Sequence, residues 1–257
     1  MDLSRIDLNS DLGEGFGAWK MGDDDAMLDI VTSANVACGF HAGDPSVMRR
    51  VCERAAARGV VIGAHVAYRD LAGFGRRAMD VAPADLADDV LYQIGALDAF
   101  ARAAGTRVRY VKPHGALYNT ASVDPEQAAA VVEGIRRFYP ALALLCPPNS
   151  EMAKQAEKAG FPAYAEAFAD RAYTSEGFLV SRKLPGAVLH DADEVADRAV
   201  AMATTGKVVA DDGTELKLEP HSLCVHGDTP GAVELARRIR AGLGASGVHI
   251  GSFLEAA

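Results

Sequence analysis

Four histidines of this sequence follow short apolar runs and have glycine or proline within two residues: His41, His65, His114 and His226. Such runs predict parallel strands, and strand ends that pass into glycine-rich loops are where α/β barrels carry their active sites. An imidazole can act as acid or base near neutral pH and can also bind a metal. Four of them at four strand ends favour one shared site over four separate structural roles.

Carboxylates and one lysine also lie in predicted strands or at their ends. Asp11 continues the alternation of Asp7 and Asn9 along the first predicted strand, so the three side chains share one face. Lys112 lies between Val111 and Pro113, at another strand end. The predicted catalytic residues are Asp11, His41, His65, Lys112, His114, Glu166, Asp170 and His226.

Amides, guanidinium groups and one further carboxylate occur in the same strands and loops, where they would contact an anionic substrate. The predicted substrate-binding residues are Asn9, Asn35, Arg76, Arg171, Arg182 and Asp228. Asp170 and Arg171 are neighbours, and an ion pair that only braces their loop is an alternative that the sequence leaves open.

Two mechanisms can use these residues. In the first, Asp11, His41 and His65 bind a divalent metal that activates water for attack on an amide. No H-E-x-x-H motif supports this set, so it depends on convergence of the strand ends. In the second, histidines and carboxylates are acid and base without a metal, while Lys112 or Arg171 holds the substrate or an oxyanion.

The elements that must position these residues alternate as strand, loop and helix almost throughout. This pattern predicts the α/β class and a parallel β/α barrel of seven or eight strands in one domain, residues 1–257. The strands are expected at 5–9, 33–38, 60–64, 108–112, 142–146, 163–167 and 223–225, with short additions at 178–182 and 248–250. Residues 207–218, with Asp212-Gly213 at the centre, predict an added β-hairpin.

Helix starts are marked by proline and aspartate. Pro45, Pro83 and Pro125 suit the first helical turn, and Asp44 is the expected N-cap before Pro45. Residues 13–18 match a dinucleotide-binding fingerprint formally, but no βαβ unit follows, so the glycines are interpreted as a loop that lets backbone approach a ligand.

Composition excludes several classes of protein. The chain has 257 residues and a net charge of -9, which argues against nucleic acid and anionic membranes as partners. No apolar run approaches the roughly 20 residues of a membrane span, and the N-terminus lacks the pattern of a signal peptide. The four cysteines are far apart and predict reduced thiols, so we expect a cytoplasmic protein.

The sequence contains no P-loop motif for nucleotide binding. Gly206-Lys207 is followed by Val208 and lacks the upstream glycine of a P-loop.

Several motifs in the same order resemble the LamB/YcsF family, and they span most of the chain. They are residues 7–14, 35–45, 63–65, 73–77, 111–119, 168–171, 179–182 and 224–228. The resemblance implies a seven-stranded β/α barrel similar to the glycoside hydrolase/deacetylase superfamily. The family often has proline where this chain has Val66 and Arg69, which bears on the shape of that loop.

The resemblance also implies an activity and partners. Members of the family work with subunits B and C of an ATP-dependent 5-oxoprolinase, which opens the lactam of 5-oxo-L-proline to L-glutamate, and ATP would be bound largely by the partner subunits. Two other functions stay open: a metal-dependent carbohydrate deacetylase, and a non-catalytic regulatory or binding subunit of lactam metabolism. A homo-oligomer is also compatible with the sequence.

Overall fold

The computed structural model describes residues 5–227 and 231–254. Seven parallel strands form a closed barrel: β1 (Arg5–Leu12), β2 (Ser33–Ala37), β3 (Val61–Val66), β4 (Val108–Pro113), β5 (Ala143–Cys146), β6 (Ala163–Phe168) and β9 (Ser222–Val225). β1 pairs with both β2 and β9, and β9 also pairs with β6, so the ring closes. The predicted parallel barrel is confirmed, with seven strands.

Eight helices lie among the described residues: α1 (Asp24–Leu28), α2 (Pro45–Arg58), α3 (Pro83–Ala103), α4 (Gly115–Val123), α5 (Pro125–Phe138), α6 (Glu151–Lys158), α7 (Ala192–Thr205) and α8 (Ala232–Ala245). Asp44 caps α2, because its carboxylate accepts hydrogen bonds from the amides of Ser46 and Val47. The capping role predicted for Asp44 is therefore confirmed.

Three elements lie outside the ring. β7 (Lys207–Val209) and β8 (Glu215–Lys217) form the predicted hairpin, and β10 (His249–Ile250) extends the start of β1 in parallel. The prediction of a strand at 178–182 is wrong, since Leu179 makes only an isolated bridge with Tyr173. The segment pairs within the loop that follows β6, where Arg171 and Val188 form a second bridge.

The inward face of β1 is polar, as its alternation predicts. The Asp7 carboxylate accepts hydrogen bonds at 2.6 Å from the hydroxyls of Thr32 and Ser33. Closer to the strand ends, Asn35 donates to the side-chain oxygens of Asn9 at 2.6 Å and Asp11 at 2.9 Å. Polar groups that would be costly in an apolar core thus satisfy one another inside the barrel.

The barrel axis is filled by Tyr110, whose hydroxyl donates to Asn35 at 2.6 Å. The ring crosses Gly63, where an added Cβ would lie 2.2 Å from a ring carbon. Below it, Phe253 and Tyr164 close the end of the barrel at which the strands begin. Open space inside the barrel is therefore confined to the end at which the strands finish.

No helix among the described residues is both long and apolar enough to cross a membrane.

Candidate active site

A pocket of about 650 Å³ opens at the carboxyl ends of the strands. Its inner wall is formed by Asp11, His65, Lys112, Glu166 and His226, which come from five different strands or the loops that directly follow them. The volume suits a small organic ligand, and the position is the one that parallel barrels use for catalysis. Six of the predicted catalytic residues, these five and His114, thus line one cavity.

Lys112 is the centre of this wall. Its ammonium group lies 3.0 Å from an oxygen of Asp11 and 2.8 Å from an oxygen of Glu166, and it also lies 3.1 Å from the sulfur of Cys224. The second oxygen of Glu166 accepts a hydrogen bond from the Tyr118 hydroxyl at 3.0 Å. Lys112 is buried, so its ammonium group does not extend to the solvent.

The pKa values of this group follow from burial and pairing. Burial alone would lower the pKa of Lys112, but the neighbouring Asp11 and Glu166 hold it well above its ordinary value. Burial opposes ionisation of Asp11 too, and His65 and Lys112 hold its pKa well below the ordinary value. A charged ammonium between carboxylates is the resulting state.

His226, another residue of the pocket wall, forms a dyad with Asp170. The Nδ1 of His226 lies 2.7 Å from a carboxylate oxygen of Asp170, and both residues are buried. Burial would raise the pKa of Asp170, but His226 brings it below the ordinary value. With the Nδ1 proton held by Asp170, the Nε2 of His226 is the basic nitrogen, as in catalytic histidine–carboxylate pairs.

Of the two interpretations that the sequence leaves open for Asp170, the structure shows a pair with His226 and not with Arg171. The guanidinium of Arg171 donates instead to the carbonyls of Ala187 at 3.1 Å and Val180 at 2.6 Å. Burial, followed by the charge of Arg182, lowers the pKa of Arg171 to about 10. Arg171 therefore braces the loop that forms one side of the pocket, and it also lines that pocket.

Three histidines and one glutamate form a second cluster, and two of them, His65 and His114, also line the pocket. One donor atom from each of Glu14, His41, His65 and His114 lies within 4.8 Å of all the others, and all four residues are buried. The rings of His41 and His114 stack at 3.9 Å. Burial lowers the pKa of His41 and of His114 well below the ordinary value, and neighbouring histidines add to the effect, so both rings are neutral.

The predicted substrate-binding residues divide into three groups. Arg76, Arg171 and Arg182 line the pocket. Asn9 and Asn35 do not line it; they are fully buried below it, and Asn35 donates to both Asn9 and Asp11. Asp228 lies outside the described residues.

Two residues of the site were not predicted. Glu14 lies between Gly13 and Gly15, and this context indicates a loop. A charged side chain in such a loop is expected to be exposed, but Glu14 is buried. Tyr118 belongs to α4, a helix that the sequence analysis did not identify. The spacing of His114 and Tyr118, four residues apart, could have placed both on one helix face.

Comparison with known proteins identifies relatives over nearly the whole chain. The model of the LamB/YcsF family matches residues 6–257. A protein of Streptomyces avermitilis, named as the A subunit of 5-oxoprolinase, is 63% identical over 248 residues, which cover 96% of this chain and 99% of the relative. A protein of the same name from Kocuria rhizophila is 60% identical and covers 98% of this chain and 100% of its own length.

A solved structure shares the fold closely. The lactam utilization protein of Thermus thermophilus superposes with a TM-score of 0.92 at 44% identity, covering 96% of this chain and 99% of that protein.

Proposed function

This chain belongs to the LamB/YcsF family, and from that premise we propose that it is the A subunit of a 5-oxoprolinase and hydrolyses the lactam amide of 5-oxo-L-proline to L-glutamate. The observation that carries the proposal is the full-length relation, at 63% identity, to a protein named as that subunit. The pocket supports it, since it gathers a base and several cations around a space that suits a small anion.

Hydrolysis of the lactam needs a base for the attacking water. The water oxygen bonds to the lactam carbonyl carbon and loses a proton, the carbonyl oxygen takes up negative charge, and the C–N bond then breaks as nitrogen gains a proton. His226 is the proposed base, because Asp170 fixes its tautomer and its free nitrogen belongs to a residue of the pocket wall. The resulting imidazolium can return the proton to the leaving nitrogen.

The substrate carboxylate requires a cation at the pocket. Arg171 is buried, lines the pocket and has no ionic bond to a carboxylate among the described residues. Arg182 lines the same region from the exposed side. We place the carboxylate against these two guanidinium groups, with the lactam ring directed inward.

Lys112 is a weak oxyanion stabiliser on its own. Its charge is offset by two carboxylates at 3.0 and 2.8 Å, so the three groups together carry a net negative charge. We infer that Lys112 sets the positions and charge states of Asp11 and Glu166, and that additional positive charge is needed beside the lactam oxygen. A divalent metal on the neighbouring wall would supply it by polarising the carbonyl.

ATP and two further subunits complete the proposal. A five-membered lactam is a poor electrophile, and we place the consumption of ATP that drives its opening on subunits B and C, in the cytoplasm. The lack of a P-loop motif in this sequence supports that division. The name of the relatives, which is that of one subunit, supports a complex.

Reconstitution tests the proposal. The purified chain is mixed with subunits B and C, ATP and 5-oxo-L-proline, and glutamate is measured by chromatography. Release that requires the chain, both partners and ATP is expected. If subunits B and C release glutamate equally well without the chain, the proposal is wrong.

A further inference from the structure

We propose that Glu14, His41, His65 and His114 bind one divalent transition-metal ion of the zinc class. The use of this ion in catalysis rests on the proposed function, but its binding does not. The sequence favoured a different set, Asp11 with His41 and His65, and the structure replaces Asp11 by Glu14 and adds His114.

The first argument is the convergence of donors. The four residues follow β1, β2, β3 and β4 or end them, and their donor atoms all lie within 4.8 Å of one another. Three imidazole nitrogens and one carboxylate oxygen suit zinc, cobalt or nickel, whereas magnesium and calcium prefer oxygen alone. All four side chains are buried, which favours binding of a cation that they share over separate solvation of each group.

The second argument is the outer hydrogen bonds of the rings. The Nδ1 of His65 lies 3.0 Å from the carbonyl oxygen of Lys112, and the Nε2 of His114 lies 2.9 Å from the carbonyl oxygen of Phe74. A carbonyl only accepts, so each of these nitrogens carries a proton and donates it. Backbone carbonyls that fix the outer N–H are the usual partners of metal-binding histidines.

These bonds leave two lone pairs directed at each other. The Nε2 of His65 and the Nδ1 of His114 are 2.9 Å apart, and the same Nε2 lies 3.3 Å from a carboxylate oxygen of Asp11. When both rings are neutral, neither of these two nitrogens carries a proton. Two lone pairs at this distance repel unless a cation or a proton lies between or beside them. Two nitrogens bound tetrahedrally to one zinc ion, each at about 2.0–2.1 Å, lie roughly 3.3–3.4 Å apart, so a widening of about 0.4 Å would let both nitrogens bind one ion.

Glu14 and His41 complete the set. An oxygen of Glu14 lies 3.2 Å from the Nε2 of His41 and 3.7 Å from the Nδ1 of His114. The other nitrogen of His41 is buried and has no hydrogen-bond partner among the described residues. Gly75 closes the cluster from outside, since a Cβ at this position would lie 2.7 Å from His114 and 2.9 Å from His41.

Asp11 stays outside the ligand set because its carboxylate is already engaged. Its Oδ1 lies 3.3 Å from the Nε2 of His65 and accepts hydrogen bonds from Lys112 at 3.0 Å and Asn35 at 2.9 Å. Replacement of Glu14 should therefore weaken metal binding, whereas replacement of Asp11 should not.

Metal titration of the isolated chain tests the site. Chelator-treated protein is titrated with Co²⁺, and the visible absorption of the bound ion is followed without substrate or partner subunits. One equivalent is expected to bind, and Zn²⁺ is expected to displace it. Glu14→Gln and His114→Ala are expected to weaken binding more than about 100-fold, since even loss of outer-shell partners costs about 10–100-fold. Asp11→Asn and the exposed-site control His190→Ala are expected to retain one equivalent.

Two results would overturn the site. The first is wild-type protein that binds no Co²⁺, which would mean that His65 and His114 share a proton instead. The second is Glu14→Gln and His114→Ala proteins that bind as the wild type does. Circular dichroism of each variant checks its fold, and the nearly isosteric Glu14→Gln keeps the test decisive if His114→Ala does not fold. Failure here leaves the glutamate-release assay untouched, so the two proposals are judged separately.

Discussion

The register between neighbouring strands determines which side chains of the site contact each other. β6 and β9 are neighbours, and Phe168 is opposite Cys224, so two residues further along each chain segment Asp170 reaches His226. In the same way His65 is opposite Lys112, and Asp11 is opposite Asn35. Alternation and strand ends in the sequence predict which side chains reach the pocket. They could not predict the register of these pairs, because hydrophobic alternation leaves the offset between neighbouring strands open.

Lys112→Met tests the buried charge cluster. Removing the ammonium leaves Asp11 and Glu166 buried without their cation, and a broken buried pair costs about 3–5 kcal/mol. We expect the free energy of unfolding at pH 8, measured in urea, to fall by that amount. The deficit should shrink as pH falls, because Lys112 helps to hold the pKa of Asp11 well below its ordinary value and this stabilisation is lost when Asp11 takes up a proton.

The matched control for this change is an exposed ion pair. Lys154 lies 2.7 Å from Glu151, and its side chain is 57% exposed, so Lys154→Met should change stability by less than about 1 kcal/mol. Adding Glu166→Gln to Lys112→Met should restore part of the loss. Equal effects at Lys112 and Lys154 would contradict the account of the cluster.

Helices and strands were predicted where hydrophobic pattern and capping residues agree. All seven barrel strands and the hairpin occur near the expected positions. α4 escaped prediction because it begins at a glycine, has no side-chain cap and runs for only nine residues before α5. Its packing against the pocket brings Tyr118 to Glu166, a contact that depends on tertiary structure and not on local sequence.

Two helical glycines make opposite predictions about packing between α3 and α5. A Cβ at Gly134 would lie 2.6 Å from the carbonyl oxygen of Ala87, so Gly134→Ala should destabilise the fold by about 1–3 kcal/mol. A Cβ at Gly95 meets nothing within 4 Å, and Gly95→Ala should stabilise α3 by about 0.5–1 kcal/mol. Urea unfolding measures both. Changes of the same sign would show that the close approach of these helices is incorrect.

At the scale of the whole molecule, the barrel has one end that carries the pocket and one end that is closed. Asp7, towards the closed end, makes the free energy of unfolding depend on pH. Burial raises the pKa of Asp7 to about 6, although hydroxyls of Ser222, Ser33 and Thr32 donate to it. The folded state therefore holds this proton more tightly than the unfolded chain, whose ordinary value is 3.8. The stabilisation is complete below that value and is lost as pH rises through 6.

Asp7→Asn should remove this dependence. The stability of the wild type minus that of Asp7→Asn is expected to fall by a total on the order of 3 kcal/mol between pH 4 and 7. Urea unfolding of both proteins across that range gives the difference, in which the other titrating groups cancel. A difference that stays constant with pH would contradict the buried position of an ionisable Asp7.

Glutamate release by a complex that carries His226→Ala tests most directly that the chemistry occurs on this chain. The variant is assembled with subunits B and C, assembly is confirmed by size-exclusion chromatography, and ATP-dependent glutamate formation is measured beside wild type and His190→Ala. Loss of the base should lower the rate about 10²–10⁴-fold, while His190→Ala should match wild type. An assembled His226→Ala complex that releases glutamate at the wild-type rate would contradict the assignment of the base and favour a non-catalytic role for this chain.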